Sequence, residues 1–220
     1  MQKHVRVSEI IDTIPLKYVT EAERTKLYEL NYIPKIDAPV TRKDLFQLIN
    51  SDVLENKSKI GVNVHTAIHK DYEGFMPVLS SEKGLGYFES YEKWAEAYVP
   101  EYVWMEQRLY CDKLMLTGQI DALAKFADQD QAMIIDFKTS AKVSLETWTY
   151  QAHYYYYLMT QNTFQVAPTM RFINLRRNST TKKGVKANVV DIPFSSDTME
   201  ICVRYAHRYW EDRKMAFDVD

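Results

Sequence analysis

The amino-acid sequence predicts an α/β fold in which helices flank one central mixed β-sheet. Up to Pro100, apolar residues recur mainly at helical spacing. Three strand-like runs then follow one another between residues 103 and 138, separated by short polar turns. Two more such runs lie between long amphipathic stretches towards the C-terminus. The order of helices, three strands, helix, two strands and helix is typical of a sandwich of helices around one sheet.

Size and composition indicate a soluble globular chain. It has 220 residues, 46% of them hydrophobic and 26% charged, which is enough to bury a sizeable core. Six glycines and seven prolines are too few for a disordered linker. The longest apolar run, at residues 154–159, is far shorter than the roughly 20 residues that span a bilayer. Because no secretory-type apolar segment follows Met1, we expect a cytoplasmic protein without a membrane partner.

Cysteine content and net charge restrict the chemistry further. Cys111 and Cys202 are expected to be buried thiols in a reducing compartment, with a disulfide as the alternative. Two cysteines cannot supply the four thiolates of an iron–sulfur cluster. The formal net charge of −2 counts against a large surface for non-specific duplex binding. Local basic patches and bound metal ions can still hold a phosphate chain.

Residues 1–60 are predicted to form a helical N-terminal extension of a core at residues 61–220, the two making one compact unit. A capping-box sequence begins at Thr20, and Thr41 is expected to cap a second helix. A third helix is predicted from about residue 57 to 72. A fourth is predicted over residues 86–98, where Pro100 ends it.

The predicted strands follow these helices. Three of them cover residues 103–110, 114–124 and 132–138, and the short turns between them favour an antiparallel meander. A long helix is predicted from about residue 144 to 159. The remaining elements are two strands and a last amphipathic helix, at residues 169–175, 188–194 and 197–214.

Charged residues interrupt two of the apolar strands. Asp136 and Lys138 lie on the same face at the end of one strand, since side chains alternate along a strand. Asp121 lies inside the strand before it, where a lone buried carboxylate needs a cation. If the two strands pair, the two aspartates approach each other and repel unless a divalent ion lies between them. Oxygen ligands favour Mg²⁺ or Mn²⁺, with Lys138 beside the attacking water. The alternative is a buried Asp–Lys–Asp network without metal.

These residues resemble a known family. The sequence G-Q-I-D at residues 118–121 and the sequence I-D-F-K-T-S at residues 135–140 are similar to the core signature of the PD-(D/E)xK nuclease superfamily. They most resemble its RecB-like exonuclease branch, in which a G-x-(I/V)-D strand precedes a D-(Y/F)-K-T strand. Ile120 stands where the superfamily name has proline, as is common in the branch. The resemblance implies a restriction-endonuclease-like core that binds one or two Mg²⁺ or Mn²⁺ ions.

The resemblance also implies roles for residues outside the two strands. It makes His65, on an upstream helix, a metal ligand together with Asp121, Asp136 and the backbone carbonyl of Phe137. It makes Glu106 a further acidic group of the catalytic site. The Q-x-x-x-Y motif on the following helix would help to hold DNA; its two residues are Gln151 and Tyr155.

Each of these added residues also has a structural interpretation. His65 and His69, one helical turn apart, could be core histidines, or a zinc pair that lacks an obvious third ligand. Glu106 could form a surface ion pair with Arg108. Gln151 and Tyr155 share a helix face and could be the edge of the core.

Two further sets of residues invite a role in nucleic-acid binding. The tyrosine-rich run over residues 150–157 could stack on bases, but helical spacing sends at least half of its rings into the core. Basic residues cluster around the hairpin between the last two predicted strands. They could track phosphates next to the site, or they could belong to a solvated loop. They are Arg171, Arg176, Arg177, Lys182, Lys183 and Lys186.

Together the sequence and the resemblance predict a metal-dependent DNA nuclease. An exonuclease acting on single strands or strand ends is expected, in recombination, repair or genome processing, in a bacterial or phage-infected cell. The chain lacks G-x-x-x-x-G-K-(S/T), so a helicase or recombinase would be a separate partner. The alternatives are a nucleic-acid-binding module that no longer cuts, and a zinc-dependent hydrolase centred on His65 and His69.

Overall fold

The computed structural model describes residues 4–140, 143–177 and 186–217, with the side chains of 215–217 left aside. In this part of the chain helices flank one mixed sheet, as the sequence predicts. The elements, in chain order, are β1 (Val5–Arg6), α1 (Val7–Ile11), α2 (Glu21–Glu29), α3 (Arg42–Phe46), α4 (Ser51–Tyr72), α5 (Glu82–Tyr98), β2 (Glu101–Cys111), β3 (Leu116–Lys125), β4 (Met133–Lys138), α6 (Leu145–Gln161), β5 (Thr169–Asn174), β6 (Asn188–Pro193) and α7 (Ser196–Phe217).

The sheet has the strand order β1-β3-β4-β5-β6, and β2 lies on the other edge of β3. Strand β3 is antiparallel to β2 and to β4, which confirms the predicted meander. Strand β4 is parallel to β5, and β5 is antiparallel to β6, so the sheet is mixed. The two-residue strand β1 pairs in parallel with Leu116 and Thr117 at the beginning of β3.

The sheet separates two apolar cores. Helices α1, α6 and α7 pack on one face, in a core that includes Ile120, Leu158 and Phe172. Helices α4 and α5 cover the other face, around Phe137. Each buried side chain of the strands therefore packs against one of two helical layers.

A glycine in β3 allows α6 to lie against the strand. A Cβ atom at Gly118 would be 2.8 Å from Leu158 Cδ1 and 2.8 Å from Tyr155 Cε1. Real Cβ contacts are not this short, so any larger residue would force the Leu158 and Tyr155 side chains, or the helix itself, to move. The glycine of the G-Q-I-D sequence therefore permits the close packing of the helix that carries Gln151.

The N-terminal segment is more integrated than the expected helical extension. Strand β1 joins the sheet, and Ile10 and Ile14 are fully or almost fully buried in the core under α6. The predicted boundary between residues 60 and 61 falls inside α4. These contacts favour one packed unit, and the division into an extension and a core remains a prediction.

Two helices begin earlier in the chain than predicted. Helix α4 begins at Ser51 and not near residue 57, because Asn50 caps it through a bond from Asp52 N to Asn50 Oδ1. Helix α5 begins at Glu82 and not at residue 86, because the Ser81 side chain accepts a hydrogen bond from Gly84 N. Helix α4 begins with the polar residues Ser51 and Asp52, and the first turn of α5 contains Gly84, so apolar periodicity gives only a weak signal at these two starts.

Two smaller predictions concern the cysteines and the membrane. Cys111 and Cys202 are both buried and unpaired, as expected. Among the helices described, none combines the length and the apolar character that a bilayer crossing requires.

Candidate active site

The candidate site lies where β3 and β4 separate. The last paired residues of the two strands are Ala122 and Ile135, so Asp121 and Asp136 come next on their strands at the end of the ladder. Beyond this point the Asp121 side chain replaces the backbone as the acceptor, because Phe137 N donates to Asp121 Oδ2 at 2.8 Å. Both carboxylates are buried. The predicted approach of these two acids follows from the pairing of their strands.

Three side chains from three elements converge on the α4 side of this opening. His65 Nδ1 of α4 lies 3.4 Å from Asp121 Oδ2 and 3.8 Å from Glu106 Oε1 of β2. One ligand atom from each residue lies within 4.8 Å of the others. Gly61 lets the helix approach, since a Cβ atom there would be 3.3 Å from Thr139 Oγ1. The three residues line an open cleft of about 480 Å³.

Glu106 is held in an unusual backbone conformation. Its φ is 54°, in the left-handed region that residues other than glycine rarely adopt. It lies between the pairs Met105–Ala122 and Gln107–Ile120, and therefore opposite Asp121 across the two strands. Such strain persists where the surrounding structure enforces it, often at functional sites.

A second group of side chains forms a closed triangle on the α6 side. Lys138 Nζ lies 2.6 Å from Asp136 Oδ2 and donates to Gln151 Oε1 at 3.0 Å. Gln151 Nε2 donates to Asp136 Oδ1 at 2.6 Å. Gln151 thus connects the two residues of the D-F-K sequence through the first turns of α6. Lys138 Nζ also lies 5.5 Å from the centre of the Phe172 ring.

The electrostatics of the site follow from burial and from the crowding of acids. Burial disfavours the charged form of His65, but Asp121 and Glu106 outweigh it and raise the His65 pKa well above its ordinary value. Burial would raise the pKa of Asp121, but His65 and Lys138 bring it below its usual range. For Asp136, burial dominates and raises the pKa to about 6, although Lys138 opposes the shift.

The residues present fit a divalent metal ion. Asp136 Oδ2 is buried and lies 2.6 Å from Lys138 Nζ, so a cation already faces this oxygen. The case for a metal ion therefore rests on the other acidic groups. The neighbouring group of His65, Glu106 and Asp121 supplies two carboxylates and one imidazole, a donor set that suits Mg²⁺ or Mn²⁺.

The three-residue group contains two of the predicted ligands, His65 and Asp121, and adds Glu106. Glu106, expected as a further acidic group, lies in the three-residue group with His65 and Asp121. Asp136, expected as a ligand, instead contacts Lys138 and Gln151. It remains close enough for its charge to raise the pKa of His65. The roles of all these residues, and of the Phe137 carbonyl, remain predictions.

Contacts of His69 and Glu106 bear on the alternative interpretations. His69 lines the same cleft as His65, but its Nε2 atom lies 3.4 Å from Glu73 Oε1 on its own helix. Glu106 is not paired directly with Arg108, because Gln119 lies between them.

Tyr155 and Gln151 face a second cleft, of about 320 Å³, together with Lys138. Burial and the charges of Asp136 and Asp121 raise the pKa of Tyr155 far above its ordinary value, so it is a neutral phenol. The other tyrosines of the run supply the core more than the cleft: Tyr150 and Tyr154 are buried. This agrees with the packing interpretation of the run.

The predicted basic residues divide into three groups. Arg176 and Arg177 line a third cleft, of about 640 Å³, which shares Ser140 with the cleft beside Lys138. Arg171 lies elsewhere, because its guanidinium donates twice to Asp191 at 2.8 Å. Lys182 and Lys183 lie outside the described residues, and Lys186, which follows them, is exposed.

Three residues of the site region were missed by the sequence analysis. Gln119 contacts Glu106, and Arg42 lines the cleft beside Lys138. Asn174 is fully buried next to Lys138 in the β4–β5 register, and within the described residues its side chain has no hydrogen-bond partner. Only Asn174 gave a signal, as a polar residue at the end of an apolar strand.

Comparisons with known proteins identify the family and the fold. The family model of the PD-(D/E)XK nuclease superfamily matches residues 81–213. The crystal structure of an alkaline exonuclease (LHK-Exo) from Laribacter hongkongensis has a TM-score of 0.50 at 8% identity, covering 99% of this chain and 91% of that one. A phage-related exonuclease from Haemophilus somnus 129PT gives a TM-score of 0.32 at 15% identity, over 93% and 97% of the two chains. The first likeness concerns the fold, and the second is too weak to compare folds. No curated protein matches the chain.

Proposed function

This chain belongs to the PD-(D/E)XK nuclease superfamily, and from that premise we propose that it is a metal-dependent deoxyribonuclease acting on single strands or strand ends. The observation that carries the proposal is the convergence of His65, Glu106 and Asp121 beside the Asp136–Lys138 pair. Acids and a lysine meet at one opening of the sheet, with an open cleft on either side. This arrangement can hold a cation against one side of a phosphate and an ammonium against the other.

We propose that Asp121, His65 and Glu106 bind Mg²⁺ or Mn²⁺, as one ion or as the first of two. Asp136 would add a buried carboxylate oxygen, and the Phe137 carbonyl a backbone oxygen. When bound, the ion supplies Lewis-acid polarisation of a phosphoryl oxygen. The low pKa of Asp121 keeps this carboxylate ionised and able to accept an ion.

Lys138 would act from the α6 side. Asp136 and Gln151 hold its ammonium in place, so it needs little reorganisation when a phosphate arrives. There it would offset negative charge in the transition state and position the attacking water, or take a proton from it. Gln151 orients both Asp136 and Lys138, and Tyr155 would help to place the strand.

Two clefts would hold the substrate strand in this proposal. The cleft beside Lys138 is also lined by hydroxyl groups and by Arg42, which are suitable donors to phosphate oxygens. Trp148 and Ile11 line it as well, so apolar groups border it. The adjoining cleft with Arg176 and Arg177 would hold the continuing strand. An exonuclease role in recombination, repair or genome processing is part of the same proposal. Cytoplasmic location and a helicase or recombinase partner remain predictions.

One experiment tests the activity directly. Single-stranded and double-stranded DNA, labelled at either end, is incubated with the protein and Mg²⁺, Mn²⁺ or EDTA. We expect metal-dependent release of short products from an end, and none in EDTA. Binding without cutting under every condition would instead favour a catalytically silent module. Internal cutting of a circular single strand would contradict the preference for ends.

A further inference from the structure

We infer that Gln119 is a positioning residue that aims Glu106 at the metal, with its own amide orientation fixed by Arg108. The inference rests on the proposed function, because it concerns how one metal ligand is held. Gln119 is exposed on β3 and lines the same cleft as His65, Glu106 and Asp121. Neither the fold nor the apolar core requires a glutamine at this exposed position.

The hydrogen bonds around Gln119 run in one direction. Arg108 Nη2 donates to Gln119 Oε1 at 2.6 Å, and Gln119 Nε2 donates to Glu106 Oε2. A guanidinium can only donate and an ionised carboxylate can only accept. Arg108 therefore fixes the orientation of the Gln119 amide, with the amide oxygen towards Arg108 and the NH₂ group towards Glu106. If the amide were reversed, its NH₂ group would face the Arg108 guanidinium, which is also a donor, and its oxygen would face the Glu106 carboxylate, which is also an acceptor.

In this arrangement the two carboxylate oxygens of Glu106 have different neighbours. Oε2 accepts from Gln119, while Oε1 faces His65 Nδ1 at 3.8 Å, on the side of the proposed metal site. The left-handed backbone of Glu106 gives its side chain a direction that ordinary strand geometry would not. Gln119 then restricts the rotation of the carboxylate. Outer partners of this kind orient metal ligands and typically change metal affinity 10- to 100-fold when they are removed.

The test measures metal binding in the absence of DNA. MnCl₂ is titrated calorimetrically into metal-free protein for the wild type, Gln119→Leu and Arg108→Met. We expect the Kd for Mn²⁺ to rise about 10- to 100-fold in Gln119→Leu, and by a smaller factor in Arg108→Met. Thermal unfolding of both variants should match the wild type, because both positions are exposed. Gln161→Leu, at the exposed end of α6, is the matched control and should bind Mn²⁺ normally.

A double-mutant cycle separates positioning from a direct effect. If Gln119 acts only through Glu106, Gln119→Leu should change the Kd less than about twofold in a Glu106→Ala background. An unchanged Kd in Gln119→Leu, or an equal loss in both backgrounds, would overturn the inference. Failure of the wild type to bind metal or to cut DNA would instead overturn the proposed function.

Discussion

The replacement Lys138→Met tests how the two sides of the site depend on each other. Methionine keeps most of the length of the side chain and removes the ammonium that lies 2.6 Å from Asp136 Oδ2. Cleavage should fall about 10²- to 10⁴-fold, the usual range for a positioned proton-transfer group. Metal binding should respond differently, because Lys138 is not a ligand but does control the ionisation of Asp136.

The expected pH dependence follows from the pKa of Asp136. In the metal-free protein burial raises this pKa to about 6, and Lys138 is the main group that limits the rise. Without Lys138 the pKa increases further, so the carboxyl retains its proton to a higher pH. In both proteins a metal ion must also displace the proton of His65, whose pKa is raised. Below the pKa of Asp136, displacing the Asp136 proton costs about a further tenfold in affinity for each pH unit. The variant should therefore lose Mn²⁺ affinity at a higher pH than the wild type as the pH falls.

Calorimetric titrations with MnCl₂ at pH 6.5 and at pH 9 measure this difference. At pH 9 the variant should bind Mn²⁺ at least as tightly as the wild type, because a nearby ammonium repels a cation. At pH 6.5 it should bind more weakly. Lys125→Met, at the exposed end of β3, is the control and should change neither binding nor cleavage. Loss of Mn²⁺ binding at pH 9 would show that Lys138 builds the metal site itself. Cleavage within about threefold of the wild type would remove it from the chemistry.

Four further changes test other parts of the site and the packing around it. Asp121→Asn should abolish Mg²⁺-dependent cutting with little change in thermal stability; persistent cutting on an end-labelled gel would contradict its role as a ligand. His65→Ala should lower the rate strongly and recover partly in Mn²⁺, whereas equal rates in both metals would argue against ligation. The double change of Arg176 and Arg177 to Ala should flatten the log–log salt dependence of DNA binding by up to about two units, measured by anisotropy; an unchanged slope would place the strand elsewhere. Gly118→Ala should destabilise the fold by about 1–3 kcal/mol in urea denaturation, because its Cβ would clash with α6, and unchanged stability would refute that packing argument.

Much of the fold was accessible from the sequence because its signals are local. Strand alternation, short turns and apolar runs identified β2, β3 and β4, and the meander followed from the turn lengths. Strand β1 escaped detection because two residues carry no periodicity. Its pairing with β3 brings together residues that are more than 100 positions apart, which a single sequence does not reveal.

Some residues of the candidate site could also be predicted from the sequence, and others could not. The buried positions of Asp121 and Asp136 could be expected, since each interrupts an apolar strand. The resemblance placed Gln151 near the site as a residue that holds DNA, but its contacts with Lys138 and Asp136 were not expected. The role of Gln119 could not be expected, because a polar residue on an exposed strand face is ordinary. Only the three-dimensional contact with Glu106 distinguishes it.

The change of partners along β3 explains why the site lies where it does. On one edge β3 pairs with β1 at Leu116 and Thr117 and with β4 from Ala122 onwards. Between these points neither strand pairs with this edge, and G-Q-I-D occupies the interval. A side chain there can replace the missing backbone acceptor, as Asp121 does for Phe137 N. The opening also exposes the Asp121 carboxylate to His65 of α4 and leaves room for the side chain of Lys138, the last residue of β4. A continuous β3–β4 ladder would close this gap, so the interrupted pairing is a requirement of the site and not a defect of the sheet.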